Sequence, residues 1–542
     1  MILLSSSRFN SALLVAAAGG SAPSADAALT QRETLLRFYH LANGDHWRTA
    51  DGWYESAEAA AVSEFGVPNL VGPDVCTWHG VECDENDDVV GLRLDDNNLS
   101  GRVSRHLWTL PRLRAVNLRG NLIKDAGLQG LSDDDESSTA KSPVEVLDLS
   151  GNRLETVEGI GSAPGTLREL RIGSNAFEGR FPDEIFKLAG LKILAASYNA
   201  GFVGTLSAEI GNMSNLRELS ISFSDMHGDI PSEIGNLSRL EFLSLDDNRF
   251  KGPLPRELEN LSELKYLSIT NTESYNGAIT GPLPSFKTNR NLRELYLNDN
   301  RLTGAVPSDL LADSLLTDAP IAVSVANNRI TGKLPAELAR FEKLHFEAGG
   351  NRINGMPNVL CTKKKWQHGN VHDFGCDAIL CPRGTFASSG RRETENEKCE
   401  VCPNGVDDAP HFGSVKCLGA PWVDSDGGGA TVSSSAAASS SDASSQSSSS
   451  GMSGGAKFAT VFFSVAAFVA LIASFAWRDI NRRRDARVAF EEAELDRHER
   501  NGVVMYAADA GHNADLGEAG MLDVPLGGPN GPSSPGVDRC IL

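Results

Sequence analysis

A segment that recurs every 24 residues constrains the fold of this chain more than any other feature. Successive copies begin at Leu216 and Leu240 and read LRELSISFSDMHGDIPSEIGNLSR and LEFLSLDDNRFKGPLPRELENLSE, and a related copy begins at Leu167. A fixed period of this length indicates stacked units, each too small to bury its own apolar side. Such stacks usually provide a binding surface, so the repeat favours recognition over catalysis.

Each unit follows the template LxxLxLxxN, then an apolar residue, then Gly-x-apolar-Pro. In the unit at Leu240, Leu243 and Leu245 alternate with period 2, which predicts a short strand with one buried side. Asn248 interrupts the apolar pattern, so we expect its amide to be buried and bonded to neighbouring backbone. The Gly252–Pro255 step ends the strand and excludes a long regular helix.

This template resembles that of the plant-type leucine-rich repeat family, and the resemblance covers about eleven units between residues 89 and 354. It implies an α/β solenoid, a right-handed superhelix with a parallel, concave β-sheet. Ser224 and Thr272 replace the template asparagine, and Leu206–Ser207 replaces the apolar-Pro step in one unit. The Gly-x-apolar-Pro step occurs at Gly179–Pro182, Gly228–Pro231, Gly252–Pro255, Gly281–Pro284, Gly304–Pro307 and Gly332–Pro335.

Residues 28–88 are predicted to cap the first repeat. Apolar residues recur at helical spacing between Leu35 and Leu41, and they are followed by the sequence CTWHGVEC, which begins at Cys76. That sequence resembles the N-terminal cap of plant leucine-rich repeat receptors. The resemblance implies a Cys76–Cys83 disulfide, with Trp78 covering the first repeat.

Residues 355–424 are predicted to form a C-terminal cap and a cysteine-rich module, whose spacing resembles the short modules of tumour-necrosis-factor receptors and ephrin receptors. Six cysteines allow many pairings. The pairing that we favour joins Cys361–Cys376, Cys381–Cys399 and Cys402–Cys417. A zinc site at Cys399-x-x-Cys402 is the alternative, against which stand an oxidising compartment and the lack of a second Cys-x-x-Cys. We expect no metal and no cofactor.

Two apolar segments predict that the repeats lie outside the cell. Residues 1–27 resemble a secretory signal peptide. The segment 457–477 includes 20 consecutive uncharged residues, which as a helix would span the ~30 Å of a bilayer core. Arginines follow it at once, so we expect a single-pass type I plasma-membrane protein with a cytoplasmic C-terminus. Residues 425–456, rich in Ser, Gly and Ala, predict a flexible stalk, and 478–542 predict a mostly disordered tail.

Several function classes are disfavoured by composition and by missing motifs. A net charge of −21 argues against a nucleic-acid partner. The chain carries no kinase motif, no serine elbow and no metal spacing among its histidines, so we expect no enzyme activity. The acidic pairs Asp95–Asp96 and Asp246–Asp247 are interpreted as solvated acidic positions rather than as the carboxylate pair of a glycosidase.

Four Asn-x-Ser/Thr sequons lie in the repeats, and we predict them as glycosylation sites. They are Asn98, Asn212, Asn236 and Asn260. The last three are spaced by 24 because they fall on the same step of successive units, on the outer side of the turn. Ordinary repeat sequence can also create such sequons by chance.

Positions between the buried residues of each strand are predicted to face outward, along the concave sheet. Aromatic and acidic residues concentrate there, which is typical of faces that bind peptides or sugars. Scattered exposed aromatics need no functional explanation, but five in neighbouring units exceed scatter. The predicted ligand-binding residues are Glu169, Arg171, Tyr198, Glu218, Phe223, Phe242, Asp246, Tyr266, Glu294 and Tyr296.

The sequence therefore predicts a cell-surface protein that binds an extracellular peptide, protein or glycan. It resembles the kinase-less receptor-like members of the family, which implies signalling through a separate co-receptor kinase. The alternative is a surface adhesion or wall-anchoring protein that does not signal.

Overall fold

The computed structural model describes residues 30–53, 74–131, 141–271 and 277–418. Within these residues, twelve strands form one long sheet, ordered along the chain. The first strand pairs antiparallel with the second, and the remaining neighbours pair parallel. The strands are Val81–Cys83, Val89–Arg93, Ala115–Asn117, Val146–Asp148, Glu169–Arg171, Ile193–Ala195, Glu218–Ser220, Phe242–Ser244, Tyr266–Ser268, Glu294–Tyr296, Pro320–Ser324 and Lys343–Glu347.

The parallel sheet agrees with the predicted solenoid, since each strand from Val89–Arg93 onward begins a new unit. Register is set by the leucines: Leu219, Leu243 and Leu267 are direct neighbours on consecutive strands, and all three are fully buried. The core is thus a stack of equivalent side chains that continues through the whole array of units.

Further short strands run along one side of the units. Glu178–Arg180, Gly201–Gly204, Asp225–Asp229 and Arg249–Lys251 form a four-stranded parallel sheet. Two-stranded sheets pair Ser100–Arg102 with Leu122–Asp125, Thr331–Lys333 with Arg352–Gly355, and Thr385–Phe386 with Glu400–Val401.

Short 3₁₀ helices close the units, because the Pro of the Gly-x-apolar-Pro step fixes the backbone just before each one. Pro231 and Pro255 hold the position before two of these helices, and Gly252 supplies the left-handed φ of +74° that the preceding turn requires. Where Ser207 replaces the proline, its hydroxyl accepts from the Glu209 N–H at 3.2 Å and caps the helix instead.

Most helices of the described residues are short 3₁₀ turns, and few are α-helical. The α-helices are Gln31–Leu41 and Asn370–Phe374. The 3₁₀ helices are Gly44–His46, Val75–Thr77, Arg105–Thr109, Leu128–Leu131, Ile160–Ser162, Asp183–Lys187, Ala208–Asn212, Ser232–Asn236, Arg256–Asn260, Ala336–Arg340, Leu360–Thr362, Gln367–Gly369, Gly375–Ala378 and Gly405–Asp407.

The buried asparagine predicted in each unit is confirmed at Asn248, which is 1% exposed. Its Nδ2 donates to the carbonyls of Ile221, Leu245 and Asp246 at 2.6–3.2 Å, and its Oδ1 accepts from the Met226 N–H at 3.2 Å. Each such side chain therefore ties its own unit to the previous one. We call this column of residues the asparagine ladder.

Aromatic side chains close the N-terminal end of the stack. The helix Gln31–Leu41 begins with a capping box between Thr30 and Glu33. Behind the helix, Trp53 contacts Trp47 and Trp78 with ring centroids 5.1 and 4.9 Å apart, and all three indoles are buried. Apolar surface that the first repeat would otherwise expose is thereby covered.

The C-terminal end is closed by hydrogen bonds to backbone just before the last strand of the long sheet, within that strand, and in the short strand Arg352–Gly355. Trp366 Nε1 donates to the Phe341 carbonyl at 2.9 Å, and Gln367 Nε2 donates to the Phe346 carbonyl at 2.6 Å. The Phe412 N–H donates to the Ile353 carbonyl at 2.9 Å. These bonds satisfy backbone groups at the end of the array.

The predicted signal peptide, stalk, membrane span and tail lie outside the described residues. None of the helices in the described part of the chain has the length and apolar character needed to cross a bilayer.

Candidate ligand-binding face

The ten predicted ligand residues all lie on or next to the long sheet, but they occupy two different kinds of position. Glu169, Arg171, Glu218, Phe242, Tyr266, Glu294 and Tyr296 are strand residues. Tyr198, Phe223 and Asp246 follow the ends of their strands. The sequence template therefore groups residues that the structure separates into the face of the sheet and the edge at its strand ends.

On the face of the sheet, three aromatic rings from consecutive strands are in contact. Phe242 and Tyr266 are stacked with centroids 4.3 Å apart and planes 4° from parallel. The ring of Tyr266 lies 5.8 Å from that of Tyr296, at 56°. The Tyr296 hydroxyl donates to Glu294 Oε2 at 3.0 Å, so this aromatic group has an anionic border.

Tyr198 and Phe223 form a second stacked pair at the ends of neighbouring strands. Their centroids are 4.5 Å apart and their planes 7° from parallel. Both residues have left-handed backbone, with φ of +62° and +53°. For bulky side chains this conformation is an outlier that costs roughly 1–3 kcal/mol.

Tyr198 and Phe223 differ in side-chain size from the residues at the equivalent position of the other units. In ten described units the residue just before the ladder position has φ between +49° and +73°. Eight of them carry Gly, Asp, Asn or Ser, whose small or polar side chains suit a tight turn. The ten residues are Asp96, Gly120, Gly151, Ser174, Tyr198, Phe223, Asp247, Asp299, Asn327 and Gly350.

Asp246 has a structural role that sequence reasoning missed. Its carboxylate accepts from the hydroxyls of Ser244, Ser268 and Thr270 at 2.6–2.8 Å and from the Thr270 N–H at 2.7 Å. It is 7% exposed, and Asp247 is 3% exposed. The expectation that this acidic pair is solvated is therefore wrong: the strand-end turn encloses both side chains.

The bonds at Asp246 belong to a ladder of their own, which we call the outer ladder. Ser197 Oγ accepts from the Ser222 N–H at 2.9 Å, and Ser222 Oγ accepts from the Asp246 N–H at 3.0 Å. Asp246 then accepts from Thr270, so side chains one unit apart repeat the same contact. The sequence indicates this ladder by a hydroxyl or carboxylate residue at the same template position of four consecutive units: Ser197, Ser222, Asp246 and Thr270.

A charged group lies on the same sheet, with two strands between Arg171 and the strand of Phe242. Arg171 Nη2 lies 3.4 Å from Glu169 Oε2. Burial opposes the charge of Arg171, but the carboxylates of Glu218, Glu169 and Asp148 outweigh it and raise the pKa of the guanidinium. Glu218 and Tyr266 are each 7% exposed, so part of the predicted face is recessed.

Among the described residues, four disulfides join the same pairs that the sequence suggested: Cys76–Cys83, Cys361–Cys376, Cys381–Cys399 and Cys402–Cys417. Cys399 and Cys402 thus belong to different disulfides, which leaves no zinc site at this motif. Within the described residues, Asp74, Cys76 and Asp87 lie close enough to share a metal ion, but the Cys76 sulfur is in a disulfide.

The sequons differ in their surroundings. Asn212, Asn236 and Asn260 are exposed residues at the ends of successive 3₁₀ helices. Asn98 is half-buried, and its Nδ2 donates to the His46 carbonyl at 2.8 Å. The three exposed sequons are therefore the accessible ones.

Comparison with known proteins agrees with the repeat architecture. A profile of the Leucine Rich Repeat family matches residues 239–261 and 291–312. The chain is 36% identical over 282 residues to Serine/threonine-protein kinase BRI1-like 1 of Arabidopsis thaliana, covering 49% of this chain and 22% of that protein. It is 32% identical over 277 residues to Receptor-like protein 35 of the same plant, covering 48% of this chain and 26% of that protein.

Among solved structures, the ectodomain of the plant membrane receptor kinase GASSHO1/SCHENGEN3 from Arabidopsis thaliana overlaps 62% of this chain and 43% of that chain, with 21% identity and a TM-score of 0.43. The chain spans about a quarter of the length of the curated relatives named above. The repeat template, the parallel sheet and the asparagine ladder agree with the leucine-rich repeats that the profile matches, and over this part the chain is similar to receptor-like proteins and receptor kinases of plants.

Proposed function

We propose that this chain is a cell-surface receptor-like protein that binds an extended, basic extracellular peptide across the face of its long sheet and the edge at its strand ends. The strained Tyr198–Phe223 pair carries the proposal. Two bulky residues occupy a backbone position that eight equivalent units fill with small or polar residues. Strain of this kind persists at sites where the side chain is needed for function.

A basic peptide suits the charge of this face. Four of the ten candidate residues are acidic; Asp246 is enclosed by its hydrogen bonds, whereas Glu169, Glu218 and Glu294 lie on the strands of the sheet. Arg171 is already surrounded by carboxylates. A cationic ligand would gain from these carboxylates and from aromatic rings, which attract cations. A protein or glycan ligand is the alternative, and binding to peptide and glycan arrays separates a peptide from a glycan.

Three finer features complete the proposal; they come from the sequence, and exposure selects three of its four sequons. The segment 457–477 would anchor the chain in the plasma membrane with the repeats outside and the C-terminus in the cytoplasm. Asn212, Asn236 and Asn260 would be glycosylated. The chain has no kinase motif of its own, so a membrane partner with a kinase domain would carry the signal.

The test compares the full chain with the double variant Tyr198→Asn, Phe223→Asn. Asparagine tolerates left-handed backbone, so the fold is retained while both rings are removed. We expect an array of linear Lys- and Arg-rich peptides to bind the wild-type chain, and the double variant to lose that binding. Arrays of acidic peptides and of neutral glycans serve as comparisons.

Two results would contradict the proposal. One is equal binding of basic peptides by the double variant and by the wild type. The other is binding of neutral glycans but not of peptides. A matched control is Asp299→Asn, which changes the equivalent position of another unit without removing an aromatic ring.

A further inference from the structure

The row of large side chains on the face of the long sheet is interrupted at one position near its C-terminal end. Five consecutive strands place these residues side by side: Phe242, Tyr266, Glu294, Ala322 and His345. Ala322 alone in this row has only a methyl group, and it is partly exposed. Because neighbouring strands are about 4.8 Å apart, the strands of Glu294 and His345 are separated by about 10 Å. A ligand side chain can therefore enter between them, above Ala322.

The adjacent row of side chains on the same strands has a similar gap. Tyr296, Ser324 and Glu347 are direct neighbours there, and the small Ser324 is only 4% exposed. We call the space above Ala322 and Ser324 the face notch. Its walls are formed by Glu294, Tyr296, His345 and Glu347.

The carboxylates around the face notch outnumber its arginine. Glu294 Oε2 accepts from the Tyr296 hydroxyl at 3.0 Å, and within the described residues this carboxylate takes part in no ion pair. On the opposite wall, Arg391 Nη2 lies 3.1 Å from Glu347 Oε1 and 3.1 Å from Glu393 Oε1, so two carboxylates share one guanidinium. An additional cation in the notch would therefore be attracted.

The opposite wall also contains flat rings and an unsatisfied acceptor. The ring centroids of His345 and His368 are 4.6 Å apart. His345 Nε2 donates to Glu347 Oε1 at 3.0 Å, so in the neutral ring Nδ1 is an acceptor. Nδ1 is buried and finds no hydrogen-bond donor among the described residues. Burial, then the charges of His345 and Arg391, lower the pKa of His368, so His368 adds no cation at neutral pH.

We propose that the face notch is the subsite for an arginine side chain of the ligand. This subsite rests on the proposed function and identifies the side chain by which the basic peptide is anchored. A guanidinium is planar and permanently charged, so it can stack on a ring while it donates to carboxylates. A lysine ammonium matches the charge of the notch but not its shape. Ala322 determines this preference, because a larger side chain there would fill the space.

The test uses single-residue probes, N-acetyl-L-argininamide and N-acetyl-L-lysinamide, and measures their binding to the full chain in detergent by saturation-transfer NMR. The variant Ala322→Phe fills the notch. Its matched control, Ala115→Phe, makes the same substitution in the same row near the N-terminal end of the sheet. We expect Ala322→Phe and Glu294→Gln each to bind the arginine probe about tenfold more weakly than the wild type, and Ala115→Phe to bind it equally well.

Four outcomes would overturn the subsite: no binding of the arginine probe, equal binding of the two probes, unchanged binding by Ala322→Phe, or equal weakening by Ala115→Phe. Peptide arrays distinguish these results from a failure of the proposed function. Binding of basic peptides that is unchanged when every arginine is replaced by lysine would refute the subsite alone. Arginine-probe binding that Ala322→Phe abolishes, without binding of any peptide, would support the subsite and refute the proposed peptide ligand.

Discussion

The outer repeats and the middle repeats use the same template, but they differ in the side chains that hydrogen-bond to the backbone at the strand ends. In the outer units an asparagine such as Asn121 or Asn328 bonds to the backbone of its own and the previous unit. In the middle units the asparagine is lost at Ser224, and the outer ladder of Ser197, Ser222 and Asp246 supplies comparable bonds just past the strand ends.

The same middle units hold aromatic rings at the strained position. Tyr198 and Phe223 place bulky side chains in left-handed backbone, and Ser224 replaces the ladder asparagine, all within two neighbouring units. Such a cluster of departures from local sequence preference is expected at a functional site rather than in a purely structural repeat. The contrast teaches that the middle of the array is specialised, while the outer units maintain the stack.

The largest effect is expected from Asn248→Ala, which removes an intact rung of the asparagine ladder. The carbonyl of Ile221 and the N–H of Met226 would lose their buried partner, so we expect the free energy of unfolding to fall by about 3 kcal/mol. Urea unfolding followed by circular dichroism measures the change. Asn215→Ala is the matched control: it removes two exposed bonds, one to the Ala189 carbonyl and one from the Arg239 guanidinium, and should cost far less.

Asp246→Ala tests the outer ladder and should have the next largest effect. The hydroxyls of Ser244 and Ser268 and the N–H of Thr270 would lose their acceptor. We expect a loss of about 2 kcal/mol in the free energy of unfolding. An unchanged urea midpoint would mean that the outer ladder does not replace the missing asparagine bonds.

The strain at the left-handed position is tested in an outer unit. Asp299→Tyr and Asp299→Gly both remove the bonds that Asn298 and Asn327 donate to this carboxylate, but only tyrosine is strained there. We expect the tyrosine variant to be less stable than the glycine variant by about 1–2 kcal/mol in urea unfolding. Equal stability would remove the energetic basis for treating Tyr198 and Phe223 as exceptional.

The smallest effect concerns the last strand, where Glu347 meets the C-terminal module. The hydrogen bond from His345 and, further, the charge of Arg391 outweigh burial and lower the pKa of Glu347 to about 2. Because the folded pKa is depressed, this stabilisation is present above the ordinary value near 4.5 and is lost as pH falls toward 2.

Glu347→Gln should therefore lower the free energy of unfolding by about 1 kcal/mol at neutral pH, as expected for a partly exposed pair. The difference from the wild type should shrink as the pH falls below about 4. Urea midpoints at neutral pH and at pH 3 provide the measurement. A difference that is constant with pH would show that the charge of Glu347 is not involved.

Much of the fold follows from particular residues in the sequence. The period-2 pattern of Leu243 and Leu245 predicts a strand, and the position of Asn248 predicts a buried amide; both predictions are confirmed. These features depend only on residues within one unit and its neighbour. Such contacts are local in sequence, which is why the template is sufficient to predict them.

The candidate site was less predictable, because it depends on contacts between units. An outward position in the template did not distinguish Asp246, whose carboxylate is fully engaged, from Phe242, whose ring stacks on Tyr266. Nor did the template show that Tyr198 and Phe223 lie past the strand ends in left-handed backbone.

The sequence by itself determined the repeat, its buried leucines and the ladder asparagines, since each is specified by a short pattern whose physical cause is local. Only the tertiary structure decided which outward residues meet: the stacking of units brings Tyr198 onto Phe223, closes the outer ladder around Asp246 and aligns Lys192 with Arg217. The reason is that these contacts join residues about 24 positions apart through the register of the long sheet, which no single unit contains.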